Sequence, residues 1–234
     1  MSIEARIDEQ TRTSWESCGW ALVPEFLGPD EVACLGREAD RLIQCRDLFE
    51  QRGTVPFSPT RGDRLDPVID VSEPFAALAS DPRILALAES VVGGPVQLMK
   101  DKFIAKPPGA SGYGTHQDGA YWMGLDIDPS RFLTIAIFLD DATPEKGPME
   151  CAPGFHRTLL TDPATAGDPD DRLLGAFTTI EASAGDALLL HSLTPHRSGP
   201  NRTDEMRRAL LFSYGVDGRP DLYERYYQLK RSIS

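Results

Sequence analysis

The apolar positions of the chain fall into two regimes. Val32, Leu35, Ala39, Leu42 and Ile43 recur at helical spacing behind Gly28-Pro29-Asp30, where a proline and an acidic first turn suit a helix start. A second helix is predicted downstream. Asp81 is its N-cap, Pro82 takes the first helical position, Ile84, Leu85, Ala88, Val91 and Val92 form the buried stripe, and Gly93-Gly94 ends it. Between the two, Glu50 to Pro74 is rich in Gly, Pro, Asp and Arg and reads as a surface loop or lid. Its Arg61, Arg64 and Asp70 could face a substrate or simply be solvated. Beyond Val96 the period shortens to strands, at 96–105, 132–139, 148–152, 176–181, 187–191 and 208–214, each bounded by Gly, Pro or Asp. Short strands at this spacing predict a sandwich or barrel with flanking helices rather than a βαβ sheet.

Composition narrows the class. The chain has 234 residues, enough for one large domain to bury its own core without disulfide or structural metal. Twenty-four Lys and Arg against 36 Asp and Glu leave a net charge of −12, which disfavours nucleic acid or an anionic membrane as partner but permits a local cationic pocket. No run nears the ~18 apolar residues of a membrane span, and the N-terminus lacks a signal-peptide apolar region, so a cytoplasmic protein is expected. Cys18, Cys34, Cys45 and Cys151 have no C-x-x-C spacing and read as reduced, mostly buried thiols.

Histidine is scarce, with His116, His156, His191 and His196 only. His116-Gln117-Asp118 follows a Gly-rich turn and precedes Tyr121-Trp122, and on a period-two strand His116 and Asp118 would share a face. One imidazole and one carboxylate from a strand, joined by a distant imidazole, make the facial set of non-heme Fe(II) oxygenases, with the opposite face open. An H-x-D alone is common in proteins without a metal. Further along, Thr194 to Asn201 leads into Arg207-Arg208 at the head of an apolar strand. A guanidinium beside a buried metal needs an anion, which a dicarboxylate cosubstrate would supply.

His116-x-Asp118, then His196, Ser198 two residues on and Arg207 eleven residues on, resembles the phytanoyl-CoA dioxygenase family of Fe(II)/2-oxoglutarate oxygenases. The blocks Lys100 to Gly109, Leu139 to Glu150, Pro153-Gly154-Phe155-His156, Gly185-Asp186-Ala187 and Gly19 to Leu27 resemble it too, so the similarity spans nearly the whole chain. The resemblance implies a mainly β fold, a double-stranded β-helix or jelly roll with flanking helices. It implies one domain over 1–234, helical and lid segments to 95, the jelly roll over 96–216 and a helix over 217–234.

It also implies roles. Fe(II) would be held by His116, Asp118 and His196, and the distal carboxylate of 2-oxoglutarate by Arg207 and Ser198. Lys102 and Thr134 fall where the family contacts cosubstrate, although a snorkelling lysine and an ordinary strand threonine are the plain readings. The Ser and Arg offsets select His196 over His191, which is then a core or rim histidine. Strand alternation puts Arg207 and Arg208 on opposite faces, and the family offset selects Arg207 for the inside, leaving Arg208 outside or in an ion pair. Tyr121 and Trp122 would wall the pocket or fill the core, His156 would stabilise a hairpin, and Tyr223, Tyr226 and Tyr227 would be a packing stripe. With O₂, the implied reaction hydroxylates an unactivated C–H and releases succinate and CO₂. Asp118 stands where related halogenases carry Gly or Ala, which favours hydroxylation or desaturation. A small polar metabolite or natural-product intermediate is the expected substrate, bound by a monomer or homodimer. The rival readings are a jelly-roll metal-dependent lyase or isomerase and a non-catalytic binding module.

Overall fold

The computed structural model describes residues 7–45, 47, 63–160 and 171–232. Among these, every strand pairing is antiparallel and the strands form two sheets. The larger runs β1 (Trp20–Val23), β8 (Ala187–His191), β5 (Phe132–Phe138), β10 (Arg207–Gly215), β3 (Gln97–Lys106) and β2 (Asp63–Leu65). The smaller runs β4 (Tyr113–His116), β9 (His196–Ser198), β6 (Met149–Cys151) and β7 (Thr178–Ile180). From β3 onward the chain passes back and forth between the sheets, which is the winding of a double-stranded β-helix.

Alternation along the large sheet separates two cores. Ile104, Ala136, Phe138, Leu188, Leu190, Ala209 and Leu211 face inward and pack on Met149, Cys151 and Ile180 of the small sheet. Their neighbours Phe103, Leu133, Ile135, Ile137, Leu189, Leu210 and Phe212 face out onto α2 (Pro29–Gln44), α3 (Glu73–Ala79) and α4 (Pro82–Val92), through Leu35, Leu42, Phe75, Ile84 and Leu87. Burial on both faces explains why β5 reads FLTIAIF with no polar alternation. At one end α5 (Leu222–Ser232) packs Leu222, Tyr226 and Tyr227 on Met99, Trp122 and Phe132.

The helix signals act as chemistry requires. Asp81 caps α4 by accepting from the Arg83 N–H at 2.7 Å, and Gly93 ends it at φ 78°, where a side chain would be strained. Glu31 reaches back to the Gly28 N–H at 2.9 Å and closes the first turn of α2.

Two expectations are corrected. The described part of the Glu50 to Pro74 stretch is not all loop, because 63–65 pair with Phe103–Ala105 as edge strand β2, anchored by fully buried Leu65. Arg61 lies outside the described residues. The four cysteines are free, but only Cys151 is buried and Cys34 is exposed, since α2 turns Cys34 away from its apolar stripe.

Candidate active site

The site forms between the sheets, at the pairing of β4 with β9. Register places His116 directly opposite His196 and Tyr113 opposite Ser198, so one cross-strand pair brings two imidazoles to a ring separation of 4.1 Å. Each imidazole is oriented by its own strand. His116 Nδ1 lies 2.8 Å from Gly114 O and His196 Nδ1 lies 3.0 Å from Thr194 O. A carbonyl can only accept, so both Nδ1 atoms carry the proton and both Nε2 lone pairs are left for a metal.

Asp118 reaches the same point by a different route from the one its spacing predicts. Strand β4 stops at His116, and Asp118 opens a 3₁₀ turn over Asp118–Leu125. Gln117 makes this turn rigid, because its amide donates to Thr158 O at 2.8 Å and Leu193 O at 2.5 Å and accepts from Leu160 N at 2.6 Å. Asp118 Oδ2 accepts from Thr134 Oγ1 at 2.7 Å and Oδ1 from Lys100 Nζ at 3.3 Å. Thr134 has one proton to give, so Ser213, 2.9 Å behind it, donates to Thr134 in turn. One ligand atom from each of His116, Asp118 and His196 lies within 4.8 Å of the others, a spacing that fits a single ion.

The electrostatics favour metal over proton. Burial, then the neighbouring His196, pushes the His116 imidazole down to about 3, so it is neutral at physiological pH. Burial alone would raise the Asp118 carboxyl, but Lys100 and Lys102 outweigh it and hold the group well below the usual range.

Arg207 is the second chemical feature. It is 4% exposed, its Nε has no hydrogen-bond partner, and among the described residues no carboxylate lies within ion-pair distance. Burial lowers the guanidinium to about 10, which still leaves it charged at neutral pH. A buried, unpaired cation is costly unless an anion completes it, so this end of the cavity suits a carboxylate. Ser198 Oγ sits there, accepting from Lys106 Nζ at 2.9 Å and from Tyr113 N at 3.3 Å. Arg208 faces the other way and pairs with Asp140 at 2.7 Å and Asp40 at 2.5 Å.

A cavity of about 590 Å³ joins these parts and is lined by His116, Asp118, His196, Ser198, Arg207 and Lys102 together with Arg64 and Tyr121. Two expected residues are placed elsewhere. Trp122 is fully buried against Phe132 in the apolar end cluster and does not line the cavity, because the 3₁₀ turn directs it away from its neighbour Tyr121. Thr134 meets Asp118 rather than the open cavity. His191 stacks with Trp15 and His156 at the opposite side of β8, at ring separations of 5.6 and 5.4 Å.

Three groups were missed by reading the sequence. Lys100 pairs with Asp118, Lys106 lies beside Ser198, and Tyr226 lines the cavity from α5 instead of serving only as packing. The lysines had a signal: Lys100, Lys102 and Lys106 keep even spacing in a strand whose every residue from Met99 on is buried, so they share its inward face.

A family profile described as phytanoyl-CoA dioxygenase (PhyH) matches residues 15–209. A methylphosphonate hydroxylase of Gimesia maris is 30% identical over 223 residues, covering 93% of this chain and 84% of its own. An L-proline trans-4-hydroxylase of Streptomyces griseoviridis is 30% identical, covering 84% and 82%. Among solved structures, the epimerase SnoN in complex with Fe3+, alpha ketoglutarate and nogalamycin RO superposes with a TM-score of 0.73 at 28% identity, covering 88% of this chain and 82% of that one. The profile match includes the His116, Asp118 and His196 cluster together with Ser198 and Arg207, and the chain belongs to the phytanoyl-CoA dioxygenase family.

Proposed function

We propose that this protein is an Fe(II)/2-oxoglutarate-dependent oxygenase that hydroxylates an unactivated C–H of a small molecule. The observation that carries the reading is the conjunction, in one cavity, of a His-Asp-His cluster with a buried arginine that lacks an anion. The hydroxylase relatives support it. His116, Asp118 and His196 would hold the iron, and Arg207 with Ser198 would hold the far carboxylate of 2-oxoglutarate. When bound, iron with 2-oxoglutarate and O₂ supplies the oxidising power that turns C–H into C–OH, with succinate and CO₂ as coproducts.

The chain's own residues place and shield. Thr134 and Lys100 fix the two Asp118 oxygens, so the carboxylate presents one direction to the metal. Gly114 O and Thr194 O fix the imidazole tautomers. The apolar walls Ile104, Ala136, Ala209 and Leu211 exclude water around the reacting carbon. Tyr121, partly exposed and edge-on to His116 at 5.9 Å, stands where substrate would enter. A single domain acting in the cytoplasm on small molecules completes the proposal. Its net charge of −12 supports the exclusion of nucleic acid and anionic membrane, and no described helix is long and apolar enough to cross a membrane.

The test is anaerobic titration of Fe(II) and 2-oxoglutarate. A weak visible metal-to-ligand charge-transfer band forms with the wild type, is lost in His116→Ala and His196→Ala, and survives in His191→Ala. A metabolite screen for substrate-stimulated succinate then follows, with Asp118→Gly expected to lose hydroxylation. Absence of the band in wild type, or exchanged behaviour of His191 and His196, overturns the assignment.

A further inference from the structure

The cavity holds more positive charge than iron and 2-oxoglutarate account for. Apart from Arg207 and Arg197, the latter paired with Glu150, its wall carries four cations, Arg64, Lys100, Lys102 and Lys230, against two carboxylates, Asp66 and Asp118. Lys100 is committed to Asp118 at 3.3 Å, and Lys230 to Asp66 at 2.6 Å. Asp66 also accepts from Tyr227 Oη at 3.0 Å, and Arg64 stays 3.8 Å from it, with a buried Nε that has no hydrogen-bond partner. Lys102 is only 9% exposed and, among the described residues, makes no hydrogen bond or ion pair. Register aims both into the same space. Arg64 on β2 pairs with Ile104 on β3, and directly paired residues share a face, so Arg64 points inward with Lys102.

A buried lysine with no partner among the described residues, beside a partly exposed arginine held only by a long 3.8 Å ion pair to Asp66, is not an effect of overall composition on a protein of net charge −12. Bound iron would add positive charge next to them, with Asp118 the only anionic protein ligand. A 2-oxoglutarate dianion would be taken up by the iron and Arg207, at the other end of the inward face. We infer that Arg64 and Lys102 form a substrate subsite for an oxyanion, and that the substrate is a small molecule bearing a carboxylate or a phosphonate. Burial, then Lys100, pulls the Lys102 ammonium down to about 7 against the opposing pull of Asp118 and Asp66, and an oxyanion beside it would favour its charged form. Arg64 offers a planar two-point fork and Lys102 a point charge, a pair suited to the several oxygens of one anionic group.

This inference rests on the oxygenase reading, and the two can fail separately. The Fe(II)·2-oxoglutarate complex is titrated anaerobically with ethylphosphonate, propionate, and the neutral counterparts diethyl ethylphosphonate and propionamide, each into the millimolar range. The charge-transfer band is the readout, with calorimetry in parallel on the metal-free protein. One or both anions should perturb the band saturably, and the neutral compounds should not; the more effective anion identifies the group. Arg64→Gln and Lys102→Met should each weaken that anion at least about tenfold, while the 2-oxoglutarate affinity stays near wild type. Thermal midpoints report folding, and Arg64→Gln, at a partly exposed side chain, decides the matter if Lys102→Met does not fold. Equal response to neutral and anionic probes, no response to either anion, or undiminished anion affinity in the variants overturns the subsite. Loss of 2-oxoglutarate affinity in Lys102→Met, with the probe unaffected, moves Lys102 to the cosubstrate and overturns its part. A wild type that forms no band fails as an oxygenase, and calorimetry then judges anion binding on its own.

Discussion

Arg207 and Arg208 are adjacent in sequence and opposite in circumstance. Arg208 is paired on two sides and ties β10 to α2 through Asp40. Arg207 is buried, and among the described residues no carboxylate pairs with it. If 2-oxoglutarate completes it, Arg207→Ala leaves that anion without its partner in a poorly solvated pocket, a loss of about 2 to 5 kcal/mol. The 2-oxoglutarate affinity, read from the charge-transfer band, should then fall about 30-fold or more. Arg207→Lys should recover part, since the charge returns without the fork. Arg208→Ala should lower the thermal midpoint and leave cosubstrate affinity intact. Equal affinity in wild type and Arg207→Ala would remove the main support for the cosubstrate. This contrast was legible in the sequence, because strand alternation separates the two residues and the family offset chose Arg207 for the inside. Trp122 was not legible, because its direction depends on a 3₁₀ turn that no periodicity announces.

Strands β4 and β9 decide whether a site exists at all. Gly112, just before β4, lies so close to β9 that an added Cβ would sit 1.7 Å from Ser198 O. Nothing at that distance is a flexible tip that could swing aside. Gly112→Ala should therefore push the strands apart, cost about 1 to 3 kcal/mol, and weaken iron and 2-oxoglutarate binding together. Gly199→Ala is the control, since its Cβ would meet only ordinary contacts of 3.7 Å and beyond. A Gly112→Ala protein with unchanged melting and binding would show that β4 can shift without disturbing the pair. Motif spacing implied that His116 and Asp118 converge, but placed both on one strand. The structure ends the strand between them and uses Gln117, hydrogen-bonded in three directions, to turn the carboxylate inward.

At the scale of the whole molecule, His191, away from the site, adds to the acid response that the buried site histidines also give the metal-free protein. His191 packs between Trp15 of α1 (Glu9–Cys18) and His156, and burial, then His156, pulls it down to about 4. The unfolded chain binds this proton near 6.5 and the folded chain near 4, so in between the unfolded state carries more protons. Stability from this group is therefore complete above about pH 6.5 and is lost as pH falls toward 4. Urea midpoints of the metal-free protein should drop between pH 7 and 5, and the drop should be smaller in His191→Gln. An identical drop in both proteins would assign the acid sensitivity to other groups.

What the sequence determined alone were the properties carried by neighbours along the chain. Helix limits at Asp81, Pro82 and Gly93 follow from caps and backbone freedom, and the short strands follow from apolar runs between turn residues. The candidate ligands, His116, Asp118 and His196 in that order, come from the family resemblance of their motifs. Tertiary structure decided what depends on groups far apart meeting in space. The opposition of His116 to His196 is a register between segments eighty residues apart, and the lysine face of β3 becomes a cavity wall only because β2, β10 and α5 close around it. A lysine's charge is written in the sequence, but whether it has a partner depends on what the fold brings within a few ångströms. That is why, among the described residues, Lys100 is paired and Lys102, two residues along the same strand, is not.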